Sequence, residues 1–407
     1  MFLERTLSGA MARAIRSFPA VLVTGPRQSG KSTLIRARFE GRHRYLSLDR
    51  PDLRERAQAD PVGFLADHPP PLILDEIQRA PTLLPYVKAA IDEDRRPGRW
   101  ILTGSQSFPL MAGVSESLAG RVAVLHLLPF SAGEAAGRPE PSLGIEAYVR
   151  RLLAAQRTPE GKRPGLGRWL LRGGYPAMWT GRGADRRLWI SGYVETYLER
   201  DVRSLSRVHD LGLFQTFVRL AAARTGTILN LSDLARDAGV SSPTAKEWLT
   251  ILEASHQVFL LRPHHENFGK RLVKSPKIYW LDTGVAAWLS GLHEEEAVQN
   301  GPMAGPLFET AVVGALVKAF RHRGEVPPIF FWRTGDGAEV DVLLEWQGRL
   351  HPIEAKSTAT PRPAHAEAVE RFRRTAGARA GEGLVVCATR DPGALTPGVR
   401  ATPWDAL

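Results

Sequence analysis

The chain has 407 residues, 43% of them hydrophobic and 24% charged, with a formal net charge of +11. No stretch approaches the ~20 uninterrupted apolar residues of a membrane span. The N-terminus, "MFLERTLSGAMARAIRSFPA", has an early Glu4 and lacks the apolar core of a signal peptide, and the single cysteine, Cys387, excludes an internal disulfide or a cysteine-based zinc site. What remains is a soluble protein of two or three domains suited to a reducing cytoplasm.

The first strong signal is "VLVTGPRQSGKSTLI" (21–35). Val21 to Thr24 is an apolar run suited to a buried strand. Gly25, Pro26, Arg27, Gln28, Ser29, Gly30, Lys31, Ser32 and Thr33 then match the phosphate-loop (P-loop) pattern, and an apolar helix follows. The glycines let backbone N–H groups turn towards phosphate oxygens, and the helix N-terminus adds positive dipole. In this pattern Lys31 reaches the β- and γ-phosphates and Ser32 ligates Mg²⁺.

A strand "RYLSLD" (44–49) comes next, and then "PLILDE" (71–76) ends in two acids. Asp75 is placed to hold the Mg²⁺ shell and Glu76 to orient and deprotonate an attacking water. "WILTGSQS" (100–107) is a further strand, whose tip offers Ser105 or Gln106 to the γ-phosphate or the water. "VAVLHLL" (122–128) is a fifth. Strands alternating with helices predict a parallel sheet with helices on both faces and nucleotide at the carboxyl ends of the strands.

"GPRQSGKSTLI", "LILDEIQ", "LTGSQ" and "LAGR…LLPFS" resemble AAA-type ATPases with an extra strand between the P-loop strand and the acidic strand. More narrowly, they resemble prokaryotic ATPases joined to a C-terminal domain of unknown function 4143. The resemblance implies ATP, and it makes Arg121 a candidate sensor or arginine finger; a structural arginine closing a turn is the alternative.

Residues 139–168 are rich in Pro, Gly and charge and mark a boundary. "LLRGGYPAMW" (170–179), "WISGYVETYLERDVRSL" (189–205) and "KSPKIYWLDTGVAAWL" recur in similar form in that family. No role follows for the turn at Gly173-Gly174-Tyr175-Pro176. Arg200, Asp201 and Arg203 either reach a neighbouring nucleotide or line a solvated helix face.

"LSDLARDAGVSSPTAKEWLTILEAS" (231–255) reads as two helices around a turn at Gly239. Ser232 is the expected N-cap of the first, with Asp233 in its first turn; Ser241 caps the second, with Pro243 just inside. Ala245, Trp248, Leu249 and Leu252 share the buried face, leaving Thr244, Lys246, Glu247 and Thr250 outside. This is a helix-turn-helix pattern, whose second helix enters the DNA major groove. Strand, basic loop and strand follow in 258–282, a wing carrying Lys270, Arg271, Lys274 and Lys277 for phosphate contacts. A protein-binding or lid module is the alternative. Charge favours the middle of the chain as well: residues 151–300 hold 21 Lys/Arg against 15 Asp/Glu, compared with 20 against 16 before them and 13 against 12 after. An arginine-rich composition accounts for the same excess without a polyanionic partner.

In "DGAEVDVLLEWQGRLHPIEAKS" (336–357), a two-residue turn at Gln347-Gly348 sets Asp341 opposite Glu354, with Val342 opposite Ile353 and Val340 opposite Ala355. Two opposed carboxylates repel unless a cation lies between them. Glu309, on the preceding helix, is a third candidate ligand, and Lys356 lies on the same face. The helix, "IFFWRT" and the two strands resemble the PD-(D/E)xK nuclease core, with Asp341, Glu354 and Lys356 at the motif positions, although Val340 replaces the expected proline. The alternative is a cross-strand Glu339–Lys356 ion pair.

The expectation is an α/β protein: a P-loop NTPase parallel-sheet domain (1–138), a helical linker (139–209), a winged-helix domain (210–290) and a small nuclease-like α/β domain (291–407). ATP and Mg²⁺ are the expected ligands, DNA the expected partner, self-association a further expectation and membrane contact none. The activity expected is DNA-dependent ATP hydrolysis that remodels or translocates DNA, with DNA cleavage left open. A nucleotide-driven switch that grips a protein partner is the second reading.

Overall fold

The computed structural model describes residues 2–105, 118–155, 164–180, 184–198, 210–264 and 275–407. Five parallel strands form the N-terminal sheet: β1 (Ala20–Thr24), β2 (Arg44–Ser47), β3 (Leu72–Asp75), β4 (Trp100–Gly104) and β5 (Val122–His126), in the order β2-β3-β4-β1-β5. The strand between the P-loop strand and the acidic strand is therefore β4. Alternate side chains feed two cores. Leu22, Leu72, Leu74 and Leu102 meet α3 (Pro51–Ala59), α4 (Pro61–Asp67) and α5 (Leu84–Glu93) through Ala57, Phe64, Val87 and Ile91. Val21, Val23, Ile73 and Ile101 meet α1 (Leu7–Ser17) and α2 (Lys31–Phe39) through Leu7, Met11, Leu34 and Ile35. Each such side chain contributes ~1.5–3 kcal/mol on burial. Both faces are covered, which is why the strands read as continuous apolar runs.

The middle of the chain runs α6 (Leu211–Ala223), β6 (Thr227–Ile228), α7 (Leu231–Asp237), α8 (Ser242–Ala254), β7 (Val258–Leu261) and β8 (Lys277–Trp280), with the strands in a small antiparallel sheet ordered β6-β8-β7. Ala245, Trp248, Leu249 and Leu252 are buried on α8 as expected, and Ser241 caps it by accepting from Thr244 N–H at 3.2 Å. The cap of α7 differs from expectation. Asn230, extended at φ −101°, accepts from Asp233 N–H at 3.2 Å. Ser232 is already inside the first turn, where its hydroxyl has no exposed helix-end donor to serve.

The C-terminal sheet is mixed and six-stranded: β9 (Ile329–Arg333), β10 (Glu339–Trp346), β11 (Arg349–Lys356), β12 (Gly383–Cys387), β13 (Gly393–Thr396) and β14 (Val399–Pro403), ordered β13-β14-β12-β11-β10-β9. β10 and β11 pair from Val342–Ile353 to Trp346–Arg349 around a turn in which Gln347 and Gly348 have φ 48° and 75°. That is the expected register and the expected left-handed turn. α9 (Ala304–Arg321) packs on one face of this sheet, and α10 (Glu367–Ala376) covers the other with Val369 and Phe372. One buried cluster runs unbroken from Leu128 through α6, α8 and α9 to Trp404. β7 also extends into a bridge, Pro263 with Phe331, where His264 N–H donates to Phe331 O at 2.7 Å. The middle and the end of the chain therefore share one core.

Candidate active site

The P-loop leaves β1 at Thr24. Gly25 has φ 149°, and a Cβ there would lie 2.1 Å from Leu127 O, so no side chain fits. Lys31 is buried, its Nζ donating to Gly25 O and Pro26 O at 2.9 Å each. Ser29 is buried, Arg27, Gly30 and Ser32 are half-buried, and Gln28 and Thr33 are exposed.

Facing the loop is a chain of hydrogen bonds across three strand ends. Ser32 Oγ donates to Asp75 at 2.9 Å, Tyr45 OH donates to Asp75 Oδ2 at 2.6 Å, and Thr103 Oγ1 donates to Asp75 Oδ1. Burial and the Asp75 carboxylate together push the Tyr45 phenol up. Glu76, at φ 58°, donates its N–H to Thr103 Oγ1 at 3.0 Å and accepts from Ser105 Oγ at 2.9 Å and from Gln78 Nε2. Left-handed backbone at a non-glycine costs on the order of 1–3 kcal/mol and is held only where surroundings enforce it. Here it aims the carboxylate away from Asp75, at Ser105.

Lys31, Ser32, Asp75, Glu76 and Ser105 are thus brought together. Gln106 lies outside the described residues. Tyr45, Gln78 and Thr103 were not foreseen; Gln78 was visible only as the last letter of "LILDEIQ". Arg121 is not part of the cluster. It precedes β5 at the end where Val122 pairs with Ala20, a strand length or ~15 Å from the P-loop, and donates to Asp92 at 2.8 and 3.0 Å. In its own chain it closes a turn.

Arg5 clamps the back of the loop. Its guanidinium donates to Ser29 O at 2.8 Å and Leu128 O at 2.7 Å and pairs with the fully buried Glu134. Glu134 is held well below the usual carboxylate range by Arg5 and His322 against the opposing effect of burial. The Gly-Gly-Tyr-Pro turn now has a place. Gly174 O accepts from Phe130 N–H and its N–H donates to Asp282 Oδ2, both at 2.7 Å. Gly173, at φ 65°, would put a Cβ 2.0 Å from Asp282 Oδ1. The turn is a wedge between the end of the ATPase sheet and the residue that caps helix Thr283–Leu289, and Pro176 borders Gly30 of the P-loop.

The C-terminal carboxylates form a second cluster, with an unforeseen occupant. Lys277 is 2% exposed, and its Nζ lies 2.8 Å from Glu309, 2.5 Å from Glu339 and 3.8 Å from Asp341. Tyr279 OH also donates to Glu309. Burial, with Glu309 and Glu354 nearby, pushes Asp341 well above the usual carboxylate range. Lys356 pairs with Glu354 on its own strand at 2.8 Å, while Glu339 binds Arg333 at 3.0 Å and Lys277, so the Glu339–Lys356 pair given as the alternative does not form. Two expectations are corrected. Lys277 is not an exposed DNA contact, because three carboxylates draw it inward. Glu309, Asp341 and Glu354 do not fit a divalent ion, because an ammonium already sits among the carboxylates, and no metal-holding group of three or more His, Cys, Asp and Glu residues occurs among the described residues. Lys270, Arg271, Lys274, Arg200, Asp201 and Arg203 lie outside the described residues. Thr244 is half-buried and Lys246 exposed on α8. Among the described residues no helix is long and apolar enough to cross a membrane.

A glycine-lined phosphate cradle, an acidic strand end and the strand order define a P-loop ATPase of the AAA type. Family models agree: "AAA domain" matches residues 17–136, "Domain of unknown function (DUF8612)" 163–296 and "Domain of unknown function (DUF4143)" 304–407. Uncharacterized proteins Rv2008c of Mycobacterium tuberculosis and Mb2031c of Mycobacterium bovis are each 32% identical over 364 residues, covering 89% of this chain and 76% of theirs. The chain belongs to this family, which joins an AAA-type ATPase domain to the C-terminal domain of unknown function. Among solved structures it is similar to the Walker-type ATPase PABY2304 of Pyrococcus abyssi, at 17% identity and TM-score 0.46 over 71% of this chain and 96% of that one. It is also similar to RuvB of Thermotoga maritima, at 16% identity and TM-score 0.29 over 63% and 86%. At these scores neither likeness decides anything further.

Proposed function

We propose that the chain hydrolyses ATP at this site and uses the cycle to move its middle and C-terminal regions against DNA. The observation that carries the hydrolysis reading is the hydrogen-bonded run Ser32–Asp75–Thr103–Glu76–Ser105 opposite the P-loop. The triphosphate would lie along Gly25–Thr33, against the N-terminus of α2. Lys31 exchanges two carbonyl partners for phosphate oxygens. Ser32 and Asp75 suit a magnesium ion, which when bound supplies positive charge to the phosphates. Glu76 exchanges Ser105 or Gln78 for a water and takes its proton. The water oxygen bonds to the γ-phosphorus, and the bond to the β–γ bridging oxygen breaks to leave ADP and phosphate.

The order α6-β6-α7-α8-β7-β8 supports a winged-helix reading, in which the half-buried Thr244 and exposed Lys246 of α8 would meet a partner. The test is ATPase rate with single-stranded, duplex, forked and four-way DNA. Stimulation that fades steeply with salt supports the DNA reading; a flat response to every nucleic acid overturns it. One observation favours a protein-binding switch instead: Lys277 is withdrawn from the surface, and α8 exposes Glu247 and Glu253 beside Lys246. DNA-indifferent turnover selects that reading.

A further inference from the structure

The P-loop is braced from behind by one buried network, and the last member of that network comes from the C-terminal region. Both ends of the loop are referred to Leu127 and Leu128, the two residues after β5. Leu127 N–H donates to Thr24 O at 2.8 Å, and Gly25 lies so close that a Cβ would stand 2.1 Å from Leu127 O. Ser29 is tied to Leu128 through Arg5, whose Nη1 donates to Ser29 O at 2.8 Å and whose Nη2 donates to Leu128 O at 2.7 Å. Arg5 and Glu134 are both buried, and Arg5 Nη2 lies 3.2 Å from Glu134 Oε2. Glu134 Oε1 also accepts from Thr6 N–H at 2.8 Å, which holds the backbone next to Arg5.

His322, the residue after α9, closes the network. Leu128 N–H donates to its Nε2 at 3.2 Å. The ring proton therefore sits on Nδ1, which faces Glu134 Oε2 at 3.5 Å. One helical turn earlier, Lys318 Nζ donates to Phe130 O at 3.2 Å. α9 and its end thus hold residues 128–130, and with them the frame on which the P-loop rests. A trans peptide points its C=O and its N–H in opposite directions. With Ser29 O drawn back to Arg5, the N–H of Gly30 is turned away from the network and into the loop. Such N–H groups are what a P-loop offers to phosphate, and a flipped peptide would present an oxygen instead.

We propose that Arg5 is a positioning residue for nucleotide binding: braced by Glu134 and His322, it fixes the Ser29–Gly30 peptide with its N–H towards the phosphates, so that α9 sets the affinity of the P-loop. The proposal rests on the nucleotide reading above. Asp75 and Glu76 take no part in the network; their partners are Ser32, Tyr45, Thr103, Ser105 and Gln78. Loss of the brace therefore falls on binding and spares the chemical step. By linkage, whatever displaces α9 weakens nucleotide binding, and bound nucleotide resists that displacement to the same degree.

The test combines calorimetry of Mg-ADP binding to the full chain with steady-state ATP turnover. Arg5→Lys keeps a cation for Glu134 but has no planar fork to span Ser29 O and Leu128 O. It should weaken Mg-ADP about 10- to 100-fold, the scale of one lost charge-assisted hydrogen bond, and raise KM for ATP while kcat stays nearly unchanged. His322→Leu should weaken Mg-ADP about 3- to 10-fold. His322→Gln can accept from Leu128 N–H and donate to Glu134, and should recover most of that loss. Should Arg5→Lys fail to fold, the two His322 variants decide alone. Variants that bind Mg-ADP as tightly as wild type, whatever their melting temperature, overturn the proposal and leave the P-loop reading intact; so does a fall in kcat at constant KM. Wild type that takes up no ADP removes both.

Discussion

Two clusters of acids stand in this molecule, and they are neutralised in different ways. Asp75 and Glu76 meet hydroxyls and an amide, from Tyr45, Thr103, Ser105, Ser32 and Gln78. Such neutral donors can be exchanged for water, a metal ion or phosphate without stranding a charge. Glu309, Glu339 and Asp341 meet a buried lysine from β8. Removing that ammonium strands carboxylates that the interior cannot solvate. The first arrangement is open to ligands; the second is a closed ion cluster that binds the middle of the chain to its end. A motif's carboxylates do not disclose their role until the compensating charge is located.

The largest effects should fall on the open cluster. Lys31→Ala should lower ATP turnover by about 100-fold or more, ~3 kcal/mol in the barrier, and remove nucleotide uptake. Glu76→Gln should lower turnover on the order of a hundred- to ten-thousand-fold while ADP still binds. Steady-state rates together with calorimetry separate the two, and near-normal turnover in either variant breaks the site assignment.

The closed cluster should respond in stability. Lys277→Ala should cost about 3–5 kcal/mol, read as a lowered urea midpoint. The sign of its pH dependence is set by Asp341, whose folded-state pKa is raised. Stability linked to that group is fully present below the ordinary carboxylate pKa and is lost as pH rises through the raised value. The deficit of Lys277→Ala should therefore shrink on acidification. Mn²⁺ should raise the melting temperature of Lys277→Ala by more than that of wild type. An equal Mn²⁺ response in the two would erase the contrast between the two clusters.

The smallest effect sharpens a local point. Asn230→Ala should cost ~1 kcal/mol by removing the α7 cap, whereas Ser232→Ala should stay within about 0.5 kcal/mol. Reversal of that order in chemical unfolding would restore Ser232 as the cap.

By itself the sequence determined whatever depends on neighbours in the chain. The P-loop follows from glycine spacing between a strand and a helix, the five strands from apolar runs, and the buried face of α8 from its 3.6-residue period. The β10–β11 register follows from a turn at Gln347-Gly348. Only the tertiary structure decided which charge meets which. It sent Lys277 inward to Glu309 and Glu339, left Arg121 at the far end of the sheet, placed Arg5 behind the P-loop and wedged Gly173-Gly174 against Asp282. The physical reason is that backbone conformation is set by neighbouring residues, whereas a buried charge is balanced by whatever the fold brings within a few ångströms, however distant in sequence.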